Sequence, residues 1–223
     1  MSAGPRVAAI CLTANRPEMM ARAVRSFESQ TYGRKRLIIF DTGEIVRYHG
    51  HFQHCVVGGP AMTIGALRNE SNRLTDKDEI LVHWDDDDLS HPNRITEQVA
   101  LLQASGADAV GYSDMLFWHE TPGEAWRYRA GKRNYALGTS LCYWRSTWET
   151  KPFPDLPVGE DTEWQRNLKV TAVSSIGSSP LMVASIHGGN TNMAGYKINL
   201  TGKCEEFKRE PEFDDYCRGA MRL

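Results

Sequence analysis

Short apolar runs alternating with helix-patterned stretches set the strongest limit on how this chain can fold. Arg6–Leu12, Leu37–Phe40, Ile80–Trp84 and Ala109–Leu116 each read as a buried strand. After the first, Pro17 suits the opening turn of a helix. Met20, Ala23, Val24 and Phe27 follow at i, i+3, i+4 and i+7 and give that helix one apolar face. A second helix is expected from Ala61 to Leu74, with Ile64, Leu67 and Leu74 on one side. A third is expected from Pro92, with Ile95, Val99 and Leu102 facing inward. Residues 42–53 read as a loop and His54–Val57 as a short strand closed by Gly58-Gly59-Pro60. Strands alternating with amphipathic helices predict an α/β fold, a mainly parallel central sheet flanked by helices.

The second half is less regular. Ala125–Tyr128 and Leu137–Tyr143 are expected to form a small antiparallel part, and Asp161–Leu168 a helix after a Pro-rich loop. Met182–Ile186 is the last expected strand, ending at His187, and from Gly188 onward the pattern predicts loops and a tail packed over the domain. No linker divides the 223 residues, so one domain is expected. Hydrophobic residues at 41% suffice for a core, and a net charge of −2 gives no electrostatic case for a protein that coats nucleic acid. The five cysteines are odd in number, widely spaced and without C-x-x-C, which argues against a disulfide framework or a zinc knuckle. With no apolar run of about 18 residues and no apolar leader, a reducing cytoplasm is the expected location.

Asp85, Asp86, Asp87 and Asp88 follow a strand and precede a Ser-His-Pro helix start. Four adjacent carboxylates repel one another, and a bound divalent cation relieves that cost. Mg²⁺ and Mn²⁺ suit one or two carboxylates completed by phosphate oxygens and water. If the strand continued, Asp85 and Asp87 would point the same way. The plain alternative is a solvated acidic turn favoured by the next helix N-terminus. Ligands of parallel sheets bind beyond the carboxyl ends of the strands, so Asp41 and the aspartate run are expected to meet in one cleft.

The block Ile64–Pro92 resembles glycosyltransferase family 2, a GT-A (Rossmann-like) family of mostly inverting sugar transferases. Gly65-Ala-Leu-Arg68-Asn69, the strand Ile80–Trp84, the run Asp85–Asp88 and Pro92 appear in that family's order. Arg6–Leu12 with Thr13-Ala14-Asn15-Arg16-Pro17 resembles its first strand and turn. Leu37–Asp41 resembles its second strand with a base-reading aspartate. Gly159-Glu160-Asp161 with Trp164 and Arg166 resembles its Glu-Asp motif. His187-Gly188-Gly189-Asn190-Thr191 resembles a His-x-x-Asn-Thr segment. The likeness covers about residues 6–192. Ala14 replaces a frequent tyrosine, and Asp41-Thr42-Gly43-Glu44 departs from the usual Asp-Asp-Gly-Ser.

The resemblance implies a transferase that moves a sugar from a nucleotide diphosphate carrier, UDP- or dTDP-type, to a hydroxyl acceptor with the help of Mn²⁺ or Mg²⁺. Residues 1–105 would form the nucleotide-sugar half, 106–192 the acceptor and catalytic half, and 193–223 the tail. Asp161 would be the general base, with Glu160 as substitute. Both acids also suit a plain helix start. Asp87 would ligate the metal directly. Asp85 and Asp86 would contact the metal, its waters or the ribose, and Asp88 either joins them or caps the next helix. Thr13, Asn15, Arg16, Asp41 and Arg68 would face the nucleotide. His187 would be a third metal ligand or a diphosphate donor. Gly138-Thr139-Ser140 lies where the family places small residues beside the donor sugar.

His83 is expected to pack, and the H-x-H-x-x-H cluster of His49, His51 and His54 to be a loop. One or two of Trp118, Trp126, Trp144 and Trp148 would line the acceptor groove. Two other functions fit the pattern less well. A nucleotidyltransferase shares the sheet and the metal but needs a Gly-rich basic loop after strand one. A non-catalytic nucleotide-sugar-binding module would have no need of the Asp85–Asp87 run or Asp161. The acceptor itself is not legible, and a modified nucleobase stays open beside polysaccharide, protein and metabolite hydroxyls.

Overall fold

The computed structural model describes residues 4–43, 53–56, 61–75, 80–131, 134–177, 179–190 and 207–222. His49, His51 and the side chain of His54 lie outside them, as do Glu44, the Gly58-Gly59-Pro60 turn and Thr191.

The first half follows the expected alternation. β1 (Val7–Thr13), α1 (Pro17–Glu28), β2 (Lys35–Asp41), β3 (Gln53–Val56), α2 (Ile64–Asn72) and β4 (Ile80–His83) come in that order. β1 pairs in parallel with β2 and β4, and β2 in parallel with β3. Thr13 lies opposite Asp41, and Ile10 opposite His83, so the carboxyl ends of three strands open on one side. The strands read as continuous apolar runs because both faces are covered. Val7, Ala9 and Cys11 pack with Met20, Phe27 and Ile95, while Ala8 and Ile10 pack with Tyr143 and Trp164.

The second half is mixed. β5 (Leu89–Ser90), α3 (Arg94–Ser105) and the long β6 (Ala109–His119) lead to β7 (Glu124–Arg129), which returns antiparallel. β8 (Cys142–Trp144) lies antiparallel between β4 and β6. After α4 (Arg145–Thr150) and α5 (Glu160–Gln165), β9 (Val170–Ser174) and β10 (Met182–Ile186) both pair in parallel with β6. The whole is a central sheet, all parallel at the β3-β2-β1-β4 side and mixed beyond it.

Four expectations are corrected. Leu137–Tyr143 is not one strand: Gly138–Ser140 makes a 3-10 turn before β8, and Ser140 Oγ takes the Tyr112 amide at 2.8 Å. The Gly-Thr-Ser sequence favours that turn over a strand. The helix expected to reach Leu168 stops at Gln165, and Asn167 adopts φ 68°. The C-terminal segment is more than loops. β11 (Phe207–Arg209) pairs antiparallel with β7, and α6 (Asp214–Ala220) buries Cys217. Finally, α2 turns its polar side inward, burying Arg68, Ser71 and Asn72 with Leu67, while Ile64 and Leu74 are only partly covered. Hydrogen bonding explains the inversion. Asn69 accepts from Trp148 Nε1 at 2.8 Å and from the Phe153 amide at 2.9 Å, and donates to the Phe153 carbonyl at 2.8 Å. Asn72 donates to Tyr143 OH at 3.0 Å.

Candidate active site

The aspartate run begins where β4 ends. The chain turns at Asp86 and Asp87 instead of continuing as a strand. Asp85, Asp86 and Asp87 therefore all line one cleft of about 410 Å³, and the simple alternation expected of a strand does not hold. Asp88 neither joins them nor caps α3. Its carboxylate accepts from Thr139 Oγ1 and from the Ser185 amide at 3.0 Å, tying the run to the 138–140 turn and to β10. Burial and the neighbouring charges of Asp87 and Asp85 push the Asp88 carboxyl well above its ordinary value.

Asp86 is almost fully buried. It accepts from Thr13 Oγ1 at 2.6 Å and from Arg16 Nη1 at 3.0 Å. Burial, then the charge of Asp87, lifts its pKa to about 6 in spite of those partners. Arg16 also reaches Asp87 Oδ2 at 3.3 Å and the Gly189 carbonyl. The β1–α1 turn thus supplies a guanidinium to the acidic cluster. Asn15 sits at φ 56° in that turn, packed so closely on Gly43 that a Cβ there would stand 2.5 Å from its amide nitrogen. Asp41 is fully buried, and its Oδ1 takes the Gly43 amide at 2.8 Å, so it closes a strand-end turn.

Asp87 meets the end of β10. His187 Nε2 is 3.0 Å from Asp87 Oδ2, and Asn190 Nδ2 is 3.4 Å from the same oxygen. The Gly189 amide donates to His187 Nδ1 at 3.0 Å, which makes neutral His187 the Nε2–H tautomer and the donor to Asp87. Among the described residues, no three His, Cys, Asp or Glu side chains already form a metal cage. Asp87 and His187 nevertheless fit a divalent ion. Two adjacent ligands at about 2.1 Å on an octahedral ion stand about 3.0 Å apart, and such ions complete their shell with phosphate oxygens and water.

Across the cleft, Arg68 lies buried and donates from Nε to Glu160 Oε1 at 2.9 Å. Burial works against its charge, but Asp85 and Glu160 more than offset that and raise its pKa. Its Nη1 is buried without a hydrogen-bond partner. Arg68 lines the cleft, and a buried guanidinium nitrogen without a protein partner is one that a ligand's anionic or hydroxyl oxygen could satisfy. Glu160 therefore orients Arg68. Asp161, the next residue, accepts from the Thr162 amide at 2.8 Å through Oδ1. Burial, then the charge of Glu160, raises its pKa, while Arg68 opposes the shift.

Gly138 and Thr139 line the cleft beside Asp161, as do Phe117, Tyr128, Tyr135 and Phe207. None of the four tryptophans, of which one or two were expected in an acceptor groove, lines this cleft. Trp118 and Trp148 are buried in the core, Trp144 packs against the β1 cluster, and Trp126 packs beside Tyr128. The four rings that do line it carry no mark in the sequence. Alternation along β7 places Tyr128 on one face, but nothing local marks which face meets the site. His83 packs as expected: its Nδ1 donates to the Gly138 carbonyl at 2.7 Å, and burial keeps the ring neutral. A larger, mostly apolar cavity of about 520 Å³ between α1, β5, β10 and α6 holds none of these groups.

The sheet and the acidic cleft at its carboxyl edge define a protein of the GT-A fold. The family profile for glycosyl transferase family 2 matches residues 9–153, and the chain belongs to that family. Among solved structures it is similar to S. aureus TarS 1-349 in complex with UDP-GlcNAc, with a TM-score of 0.65 and 15% identity over 85% of this chain. It spans 60% of that chain's length. It is also similar to mannosyltransferase PcManGT from Pyrobaculum calidifontis in complex with GDP-Man and Mn²⁺. There the TM-score is 0.62 and the identity 14%, covering 100% of this chain and 71% of the other. At such identities the likeness is one of fold. No curated protein matches the chain. Among the described residues no helix is long and apolar enough to cross a membrane.

Proposed function

We propose that this protein is an inverting glycosyltransferase that moves a sugar from a nucleotide diphosphate carrier to a hydroxyl acceptor. The observation that carries the reading is the convergence of Asp85–Asp87, the Arg68–Glu160 pair and Asp161 on one cleft. Asp161 takes the acceptor proton as the acceptor oxygen attacks the anomeric carbon. The bond from that carbon to the diphosphate oxygen breaks, and its electron pair leaves with the nucleotide. A carboxylate whose pKa is raised towards neutrality suits that task. Arg68, held by Glu160, lines the cleft and would meet the donor's phosphate or hydroxyl oxygens.

Asp87 and His187, with Asp85 beside them, would hold Mn²⁺ or Mg²⁺, which when bound neutralises charge on the departing diphosphate. His187 takes that role by carrying its ring proton on Nδ1, which requires the Gly189 amide to release it. Arg16 must then share Asp87 or swing to the phosphates. Asp41 would accept a ring N–H of uracil or thymine once its turn with Gly43 opens.

The test is thermal shift and donor hydrolysis with UDP-GlcNAc and GDP-mannose, with and without Mn²⁺, on the wild type and Asp87→Ala. The expected result is nucleotide-dependent stabilisation that needs Mn²⁺, is lost in Asp87→Ala, and is accompanied by slow hydrolysis. No stabilisation by any sugar nucleotide, or none that depends on the metal, sinks the assignment.

A further inference from the structure

The turn at residues 138–140 stands between the proposed base and the aspartate run. Asp161 lies against Gly138, and Asp88 accepts from Thr139 Oγ1. Each carbonyl of the turn accepts from a different side chain. His83 Nδ1 donates to the Gly138 carbonyl at 2.7 Å, Arg94 Nη2 to the Thr139 carbonyl at 3.1 Å, and Gln98 Nε2 to the Ser140 carbonyl at 2.6 Å. All three donors are 1% exposed. A buried network satisfied in this way holds a turn to one conformation.

Arg94 joins that turn to the strand end that delivers the aspartates. It opens α3, and Gln98 follows one helical turn later on the same face. The same Nη2 donates to the His83 carbonyl at 2.9 Å, where β4 ends two residues before Asp85. Nη1 donates to Ser90 Oγ in β5 at 2.9 Å, and Nε to Gln98 Oε1 at 3.3 Å. The guanidinium carbon stands 5.1 Å from the Trp84 ring centre. Burying a cation is costly, and an apolar side chain would often fill such a position at less cost. The value of the guanidinium therefore lies in what its fork holds together.

We propose that Arg94 is a positioning residue for the transfer, fixing the 138–140 turn, and through it Asp161, against the strand end that carries the aspartate run. The proposal rests on the transfer reading above and deepens it. Arg94 is not among the residues lining the cleft, so it acts only through the groups it holds. Its planar fork matters more than its charge. A lysine keeps the charge but has one nitrogen, which cannot serve Ser90, Gln98, His83 and Thr139 from a single point.

The experiment measures hydrolysis of UDP-GlcNAc and GDP-mannose with Mn²⁺, well below the melting temperature. Arg94→Lys is made in the wild type and in Asp161→Asn. In the wild-type background kcat falls about 10- to 100-fold, the scale of a misplacement near 1 Å, with donor KM and nucleotide thermal shift unchanged. In Asp161→Asn the same change costs less than about three-fold, because groups that act as a unit are not additive. Arg145→Lys is the control. Arg145 is also a buried arginine over a tryptophan, bonded to Thr75 and Glu149, and it does not line the cleft. Its replacement lowers the melting temperature and leaves kcat unchanged. If Arg94→Lys does not fold, Gln98→Met decides: it releases the Ser140 carbonyl without disturbing a charge, and shows the same pattern at about three- to ten-fold. A normal kcat in the folded variant, an equal loss in both backgrounds, or an equal loss in Arg145→Lys overturns the proposal. If the wild type neither binds nor hydrolyses either sugar nucleotide, the transfer reading fails first and this role falls with it.

Discussion

The Asp161 carboxylate lies against the bare Cα of Gly138: a Cβ built there would stand 1.8 Å from Oδ2 and 2.6 Å from Cγ. The Gly138 carbonyl is held from below by His83, so the turn has little room to retreat. Gly138→Ala must therefore push the carboxylate away. We expect transfer to fall about 100-fold, the scale of a misplacement near 1 Å, with nucleotide binding kept. Steady-state transfer rates beside a nucleotide thermal shift check this. A normal rate in Gly138→Ala would mean that Asp161 need not sit where it does.

Removing the base itself has a different signature. Asp161→Asn keeps the shape and the Thr162 bond but cannot take a proton, so transfer should drop by about 10² to 10⁴ with donor affinity unchanged. In the wild type, burial and Glu160 raise the Asp161 pKa, so the acid limb of the rate profile should lie above the pH at which a free aspartate titrates. The rate falls as pH drops through that pKa, because only the carboxylate form accepts the proton. A rate profile that keeps the same acid limb in the residual activity of Asp161→Asn would move the base role elsewhere.

The alternation of strands and helices in the first half and most of the acidic cluster were legible in the sequence, since both follow from local patterns. An apolar run buried on two faces reads as a strand, and its carboxyl end brings Asp85 to the cleft; Asp41 ends β2 in the same way but turns back on the Gly43 amide and is not among the residues lining the cleft. What it hid depended on distant partners. α2 looks amphipathic with Ile64 and Leu74 inward, yet Asn69 and Asn72 bind Trp148, Phe153 and Tyr143, residues far along the chain. Asp88 looks like its three neighbours, but Ser185 and Thr139 claim it. Phe207 joins the cleft only because β11 pairs with β7, and no local pattern announces that pairing.

The Arg68–Glu160 pair predicts an asymmetry. Both side chains are buried, and Arg68 Nη1 already lacks a partner. Glu160→Gln leaves the buried guanidinium with Asp85 alone as countercharge, which should cost stability up to the scale of breaking a buried pair, about 3–5 kcal/mol. Arg68→Met with Glu160→Met removes both charges and should recover most of that loss while abolishing donor binding. Urea melts of the two variants decide it, and a double variant no more stable than Glu160→Gln would count against the pair as described.

Asp86 links the site to stability through pH. Its pKa is about 6 when folded, against about 3.9 in an unfolded chain, so the folded state holds more protons between those values. Stability therefore declines as pH rises from about 4 to about 6 and levels off above that, by about 2 to 3 kcal/mol in total. Asp86→Asn cannot titrate and so escapes this term, while keeping an oxygen to accept from Thr13. Comparing variant with wild type cancels the opposing contribution of His83, whose neutral burial destabilises the fold at acid pH in both. Without metal or nucleotide, the stability of Asp86→Asn relative to wild type should thus increase from pH 4 to pH 7. Denaturant melts across that range test it. A flat difference would mean that Asp86 keeps its charge throughout, and that Thr13 and Arg16 outweigh the cost of burying it.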